Sequence, residues 1–242
     1  MPDSTCKKAL SLLQTLDRRF GKSKLPEFMP PPASADMDAA LQVAAKNSEV
    51  IAGTVLGLHG PPEEGQESVR KLMAVYVDWN EVRVANRVSL ARCLGRDPRA
   101  TERIALMQRF LEAFFLRQRN MNLDCLVGMK PAERKAFLGN LEVFSREELT
   151  ALMLTCFGMP GFPPSEALHR VAVRCGMLKP KTTVLQMAAS LSDGLEADEM
   201  LGLYSHLYNV ACANCHVEHP KCPTCPLKNG CPAAKDFMKA AK

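Results

Sequence analysis

Apolar residues recur at three- and four-residue spacing along most of this 242-residue chain, as they do in helices that bury one face. Residues 5–20 read as a helix with Leu10, Leu13, Leu16 and Phe20 on one side and Gly21 as its stop. Four prolines between Leu25 and Ala33 make that stretch an extended connector. Asp36 is placed to cap a helix that runs through Leu41, Ala45 and Val50 to about Leu58 and ends at Gly60-Pro61-Pro62. Gly53 and Gly57 weaken it from within. A further helix is expected from about Glu64 to Val77. Asp78 and Glu81 are spaced as a capping box for another, running toward Leu94-Gly95. Pro98 fits the first turn of a long helix to Arg119, with Ile104, Met107, Leu111, Phe114 and Phe115 as its buried face.

Short helices are expected at about 122–128 and 131–138. Ser145 and Glu148 form a second capping box, ahead of a stripe of Leu149, Leu152, Met153 and Cys156. Pro163-Pro164 precedes a helix carrying Leu168, Val171, Ala172 and Cys175, closed by Gly176. Thr182 or Thr183 starts the next. Glu196 to Cys212 is the last long helix, with Met200, Leu203, Leu207 and Val210 facing inward. No β-alternation and no internal repeat interrupts this pattern, so the fold is expected to be all-α.

Composition narrows the class only modestly. Hydrophobic content of 47% allows a sizeable core, and no apolar run approaches the ~20 residues of a membrane span. A net charge of +5 permits contact with nucleic acid without demanding it. From Ala211 onward the balance is sharper: Lys221, Lys228, Lys235, Lys239 and Lys242 oppose Glu218 and Asp236.

The cysteines carry more. Half of the ten lie between Cys212 and Cys231, and Cys215, Cys222, Cys225 and Cys231 are spaced C-x6-C-x2-C-x5-C. Met1-Pro2-Asp3-Ser4 does not open a signal peptide, so a reducing, cytoplasmic compartment is expected, where crowded thiolates bind metal rather than each other. Two ligand sets are possible. Cys212, Cys215, Cys222 and Cys225 make two CxxC units suited to zinc. Cys215, Cys222, Cys225 and Cys231 make the four-thiolate set of a [4Fe–4S] cluster. Cys6, Cys93, Cys125, Cys156 and Cys175 stand singly in helical patterns and are expected to pack as small hydrophobes.

The C-x6-C-x2-C-x5-C run resembles the cluster signature of endonuclease III-like DNA glycosylases, the helix-hairpin-helix-GPD superfamily. A second resemblance lies at Phe162-Pro163-Pro164-Ser165-Glu166-Ala167-Leu168-His169-Arg170-Val171-Ala172-Val173-Arg174-Cys175-Gly176-Met177. That family has F-P-V-D-T-H-V-x-R-V-x-R-R-L-G-L there. Phe162, Pro163, Arg170, Val171, Arg174 and Gly176 match, but Ser165 stands where the family has its catalytic aspartate. Counting back in the family's spacing sets its hairpin, L-P-G-V-G-x-K-T-A, on Leu141 to Leu149. Glu147 then takes the place of the lysine nucleophile, and neither hairpin glycine is present. Met159-Pro160-Gly161-Phe162 looks more like the hairpin but breaks the spacing to the next motif. Val77 to Val84, which holds the only tryptophan, resembles a segment of a bacterial subgroup of the family.

The resemblance implies a two-lobed, all-α endonuclease III-like fold with a [4Fe–4S] cluster on Cys215, Cys222, Cys225 and Cys231. The expected divisions are an N-terminal helix and connector at 1–35, a helical lobe at 36–178 and the cluster-bearing helices at 179–242. In the family the lysine attacks the sugar and the aspartate supports the charge that develops as the base leaves. A serine cannot supply that charge, so base excision is expected to be lost or weak. Glu166 is a candidate substitute, although one helical step turns it by about 100° from Ser165. His216, His219, Lys221 and Lys228 are candidate contacts to the backbone of double-stranded DNA, and a DNA-binding protein of this kind would be nucleoid-associated. A role as a redox or interaction module, an active N-glycosylase using Glu166 or another acid, and a zinc-stabilised structural protein are the other readings. A monomer is expected.

Overall fold

The structure is a computed structural model that describes residues 4–30, 37–58, 60, 62–95 and 97–240. Among these residues the chain is helical with no strand. In chain order the helices are α1 (Ser4–Phe20), α2 (Met37–Gly57), α3 (Pro62–Met73), α4 (Trp79–Val84), α5 (Arg87–Cys93), α6 (Ala100–Gln118) and α7 (Cys125–Gly128). They continue as α8 (Pro131–Gly139), α9 (Arg146–Phe157), α10 (Glu166–Arg174), α11 (Val184–Gly194), α12 (Ala197–Ala213) and α13 (Pro232–Ala240). A 3-10 turn at Cys222–Thr224 precedes α13. The expected cap at Asp36 lies outside the described residues.

Two compact units form, Met1–Leu25 with Gly158–Lys242 and Pro26–Phe157. The units divide at Phe157–Gly158, and the N-terminal helix belongs with the C-terminal helices.

In the unit that holds both termini, α12 is the hub. Met200, Leu203, Leu207 and Val210 are buried as their spacing requires, α1 and α10 pack on α12, and α11 packs on α1 and α10. Helix α1 buries Cys6, Ala9, Leu13 and Leu16. Leu10 is half-buried and Phe20 half exposed, so the buried stripe is turned by one position from the expected one. Phe20 lies instead against the ring of His206, 5.7 Å between centroids, and the His206 Nε2 sits 2.8 Å from Asp17 Oδ1. Helix α10 buries Leu168, Val171 and Ala172. The capping boxes are local and form as the sequence spells them, Thr183 with Gln186 at α11 and Glu196 with Glu199 at α12.

In the other unit α2, α4 and α5 pack on α6. Helix α6 buries Ile104, Met107, Phe110, Leu111 and Phe114. Phe115, expected inside, is half-buried under the Arg83 guanidinium, 4.2 Å from its ring centre. Pro98 lies in the turn before α6 and not inside it. The helix expected from 79 toward 94 is broken. Ala85 is extended, and the Asn86 side chain accepts from the Val88 and Ser89 N–H groups, so it starts a new helix. Helix α3 ends at Met73, short of the expected Val77. Trp79 opens α4 and is buried, so it belongs to the core of this unit.

The glycines that weaken α2 have a purpose across the helix pair. A Cβ at Gly65 of α3 would fall 2.0 Å from the Gly53 carbonyl and 2.8 Å from the Gly57 nitrogen. The two backbones are in direct contact there, and no side chain can move aside. Gly65→Ala is expected to destabilise this unit by about 2 kcal/mol or more, read as a lower thermal midpoint. Gly128→Ala, whose Cβ meets nothing within 4 Å, is expected to cost nothing in the same assay.

Candidate functional site

The segment from Cys215 to Cys231 has no regular structure beyond its one 3-10 turn, so its backbone groups need partners from outside. Helix α10 provides most of them. Arg170 Nε donates to the Cys215 carbonyl at 2.9 Å. Arg174 Nη1 donates to the His216 carbonyl at 2.6 Å and Nη2 to the Val217 carbonyl at 2.7 Å. The two arginines are four residues apart and so share one helix face. A planar fork with several donors suits adjacent carbonyls better than a single ammonium would. The Arg174 guanidinium also lies 4.9 Å from the Phe237 ring centre, which ties α13 to the same point.

The loop closes on itself as well. Cys215 N–H donates to the Val210 carbonyl at 2.8 Å, Lys221 N–H to the Asn214 carbonyl at 2.7 Å, and Lys228 Nζ to the Pro223 carbonyl at 3.0 Å. Asn214 Nδ2 reaches Thr224 Oγ1 at 3.2 Å. The Cys231 thiol donates to the Arg174 carbonyl at 3.1 Å, and Arg174 Nη1 stands 3.5 Å from Cys215 Sγ. The first and last cysteines of the run therefore meet one arginine.

The four thiols form one electrostatic group. Burial pushes the Cys222 thiol up, Cys231 and Cys215 add to that, and Arg174 opposes it. Burial raises Cys225 too, with Cys215, Cys231 and Cys222 contributing. Cys175, expected to be a plain packing residue, lies beside this group. Burial raises it to about 11, and Cys231 and Cys215 act on it. Cys212 sits in the last turn of α12.

Around the cysteines, His219, Lys221 and Lys228 are exposed. His216 is half-buried and gives its carbonyl to Arg174. Lys228 is folded back on Pro223, so the outward basic character rests mainly on Lys221 and His219.

Ser165 is the cap position of α10 and only 1% exposed. Its N–H is turned to the Pro163 carbonyl at 2.9 Å. Glu166, the first residue of the helix, is exposed, so the one-residue step separates a buried hydroxyl from a solvated carboxylate. Glu147 belongs to the other unit. It lies in the first turn of α9, where Ser145 N–H donates to Glu148 Oε2 at 2.7 Å and Glu148 N–H to Ser145 Oγ at 3.2 Å. In the turn between α8 and α9, Glu142 has φ 54°, a backbone that no proline could take there.

No family model matches this chain. No curated protein matches it either. Solved structures do. A non-covalent endonuclease III–DNA complex superposes with a TM-score of 0.60 at 16% identity, covering 97% of this chain and 98% of that one. A trapped endonuclease III–DNA covalent intermediate gives 0.58 at 16% identity, over 96% and 98%. A thermostable thymine-DNA glycosylase gives 0.57 at 12%, over 97% and 100%.

The chain has the endonuclease III-like fold.

Within that fold, several positions of the Phe162–Met177 motif hold structure. Phe162 is buried, Arg170 and Arg174 grip the cysteine loop, and Gly176 takes φ 79°, which a residue with a side chain rarely adopts. The clamp itself was written in the sequence as two arginines four apart, but nothing local says what they face. Arg174→Ala is expected to cost about 2–3 kcal/mol through two unpaired carbonyls. Arg174→Lys, which keeps the charge and loses the fork, should recover less than half. Faster amide exchange at Cys215 to Cys222, with α6 unchanged, is the readout.

Proposed function

We propose that this chain is an endonuclease III-like [4Fe–4S] protein that binds double-stranded DNA through phosphate contacts and does not excise bases at the family's catalytic position. One observation carries this reading: on α10 both arginines are committed to the cysteine loop, while the residue at the start of the same helix is a buried, neutral serine. The part of the motif that builds the loop is kept, and the carboxylate is not.

The spacing C-x6-C-x2-C-x5-C and its resemblance to a cluster signature support a cluster over a lone zinc ion. Cys215, Cys222, Cys225 and Cys231 would be the ligands. Bound there, the cluster supplies a covalent link across the loop and a one-electron centre. Arg174, near Cys215 Sγ, would offset the negative charge of the thiolates.

The DNA reading draws on the solved neighbours, two of which are complexes of endonuclease III with DNA. The contact surface would be the exposed, basic part of the cysteine loop, with Lys221 and His219 foremost and Lys228 and His216 beside them. The start of α9 is poorly suited to a phosphate. Its N–H groups are engaged by its own capping box, and Glu147 adds negative charge. Glu166 is an exposed acid next to the family position, but it does not occupy the buried place of Ser165.

Two outcomes test this. Cys222→Ser is expected to lose iron and the visible charge-transfer absorbance, and to lower the stability of the unit that bears it, while Cys212→Ser keeps both. Zinc without iron in the wild-type protein would replace the cluster by the structural-zinc reading. In fluorescence anisotropy, duplex DNA should bind weakly, with little sequence preference and a steep dependence on salt. Lys221→Glu with Lys228→Glu should abolish most of that binding, and wild-type protein should release no base from lesion duplexes under single-turnover conditions. Unchanged affinity in the double variant would move the contact away from the loop, and base release lost in Glu166→Gln would restore the active-glycosylase reading.

A further inference from the structure

Helix α1 sorts its charges to one side. Cys6, Ala9, Leu13 and Leu16 are buried, and Lys7, Lys8, Ser11, Gln14, Thr15, Arg18 and Arg19 are all exposed. At about 100° per residue the exposed set shares one outward stripe. Its cations stand at both ends with hydroxyl and amide groups between them, and it holds no acid. Asp17, the one acid between Ser4 and Lys24, lies off the stripe, half-buried and 2.8 Å from His206 Nε2. Lys22 and Lys24 extend the run beyond the helix. The positive excess of this short stretch is as large as the +5 net charge of the whole chain.

The fold makes little use of that charge. Among the described residues no carboxylate forms an ion pair with any of these cations. Arg18 and Arg19 suit the negative end of the helix, but Lys7 and Lys8 follow a first turn with no acid in it, where the positive end disfavours them. Lys8 Nζ does reach the Gly176 carbonyl at 3.1 Å, which sets the stripe beside the cysteine loop. A cleft of about 460 Å³ runs between the two, with Lys8, Ser11 and Thr15 in one wall and Pro226, Asn229 and Gly230 in the other. The stripe thus adjoins the surface proposed above for DNA and belongs to the same unit.

The chemistry of the stripe selects a phosphate backbone. Lys7 and Arg18 stand about 16 Å apart along the helix, the rise of roughly five phosphates on one DNA strand. Hydroxyl and amide donors between the cations suit phosphate oxygens as well. An anionic lipid surface would also meet the charge, but it draws on apolar side chains to insert, and the stripe has none. We infer that the outward face of α1 is a second phosphate-binding surface, which holds the flank of a duplex bound at the cysteine loop. This rests on the DNA reading of that loop.

Fluorescence anisotropy of the full chain with a duplex of ~20 base pairs, titrated at several salt concentrations, tests it. Lys7→Gln with Arg18→Gln and Arg19→Gln leaves Lys8 on the Gly176 carbonyl. This triple variant is expected to bind about tenfold or more weakly and to lower the slope of log affinity against log salt by about 2–3, with an unchanged thermal midpoint. A matched loss of charge in the other unit, Arg117→Gln with Lys130→Gln and Lys135→Gln, should change the slope by less than about one. A wild-type slope in the α1 variant overturns the inference and leaves the loop contact standing. An equal fall in the matched variant overturns it too, because binding would then follow net charge alone. Wild-type protein that binds no duplex overturns this inference and the DNA reading together. Binding to phosphatidylserine vesicles that the triple variant loses, with its duplex binding intact, reassigns the stripe to a membrane surface and overturns it as well.

Discussion

The bonds from Arg170 and Arg174 to the Cys215, His216 and Val217 carbonyls are what the cysteine loop depends on. A loop with so little regular structure cannot satisfy its own backbone, and water would leave it mobile. Two guanidinium groups on one helix face supply three donors at fixed spacing and fix the stretch between α12 and α13. The same Arg174 stands at Cys215 Sγ, receives the Cys231 thiol at its carbonyl and meets Phe237. Loop path, thiol positions and the seat of α13 are thereby joined at one residue. Gly176 continues the arrangement, because its left-handed backbone turns the chain away just after the clamp, with Pro232 packed 3.3 Å from where a Cβ would stand.

Arginine plays a comparable part in the other unit. Arg134 gives Nε to the Leu126 carbonyl at 2.6 Å and Nη2 to the Val127 and Met129 carbonyls, while its guanidinium lies 4.1 Å from the Phe157 ring centre. Two carbonyls of the four-residue α7, and that of Met129 just after it, are satisfied this way. Arg103 is buried with Glu64 and Asp97 as its ion partners. In both units a short or irregular segment is stabilised by a cation that reaches main-chain or acidic oxygen, and the hydrophobic core lies elsewhere. Buried arginines of this kind stabilise the structure only with every partner in place, since removing one leaves a costly unpaired group.

The loop needs the arginines and the glycine, and two helix starts are satisfied independently of it: Ser165 begins α10, and the Ser145–Glu148 box caps α9. Between α8 and α9 the chain turns at Glu142, whose φ is 54°.

What the sequence determined by itself is everything that rests on neighbours a few residues apart. The all-helical pattern, the caps at Asp78 and Ser145, and the cysteine spacing were all legible, because helix periodicity and cap bonds act within one turn. The break at Asn86 was also written locally, as an asparagine cap inside an apolar pattern that otherwise reads as continuous. Tertiary structure decided the rest. It placed Arg174 on carbonyls 42 and 43 residues away and buried Trp79. It turned the inner face of α1 from Leu10 toward Ala9 and brought Cys175 beside Cys215 and Cys231. It also gave Gly53, Gly57 and Gly65 their role as a backbone contact instead of a weakness. The physical reason is common to all of these. Burial and long-range hydrogen bonds are set by which surfaces meet, and the repeat along one helix says that a face is apolar without saying what will cover it.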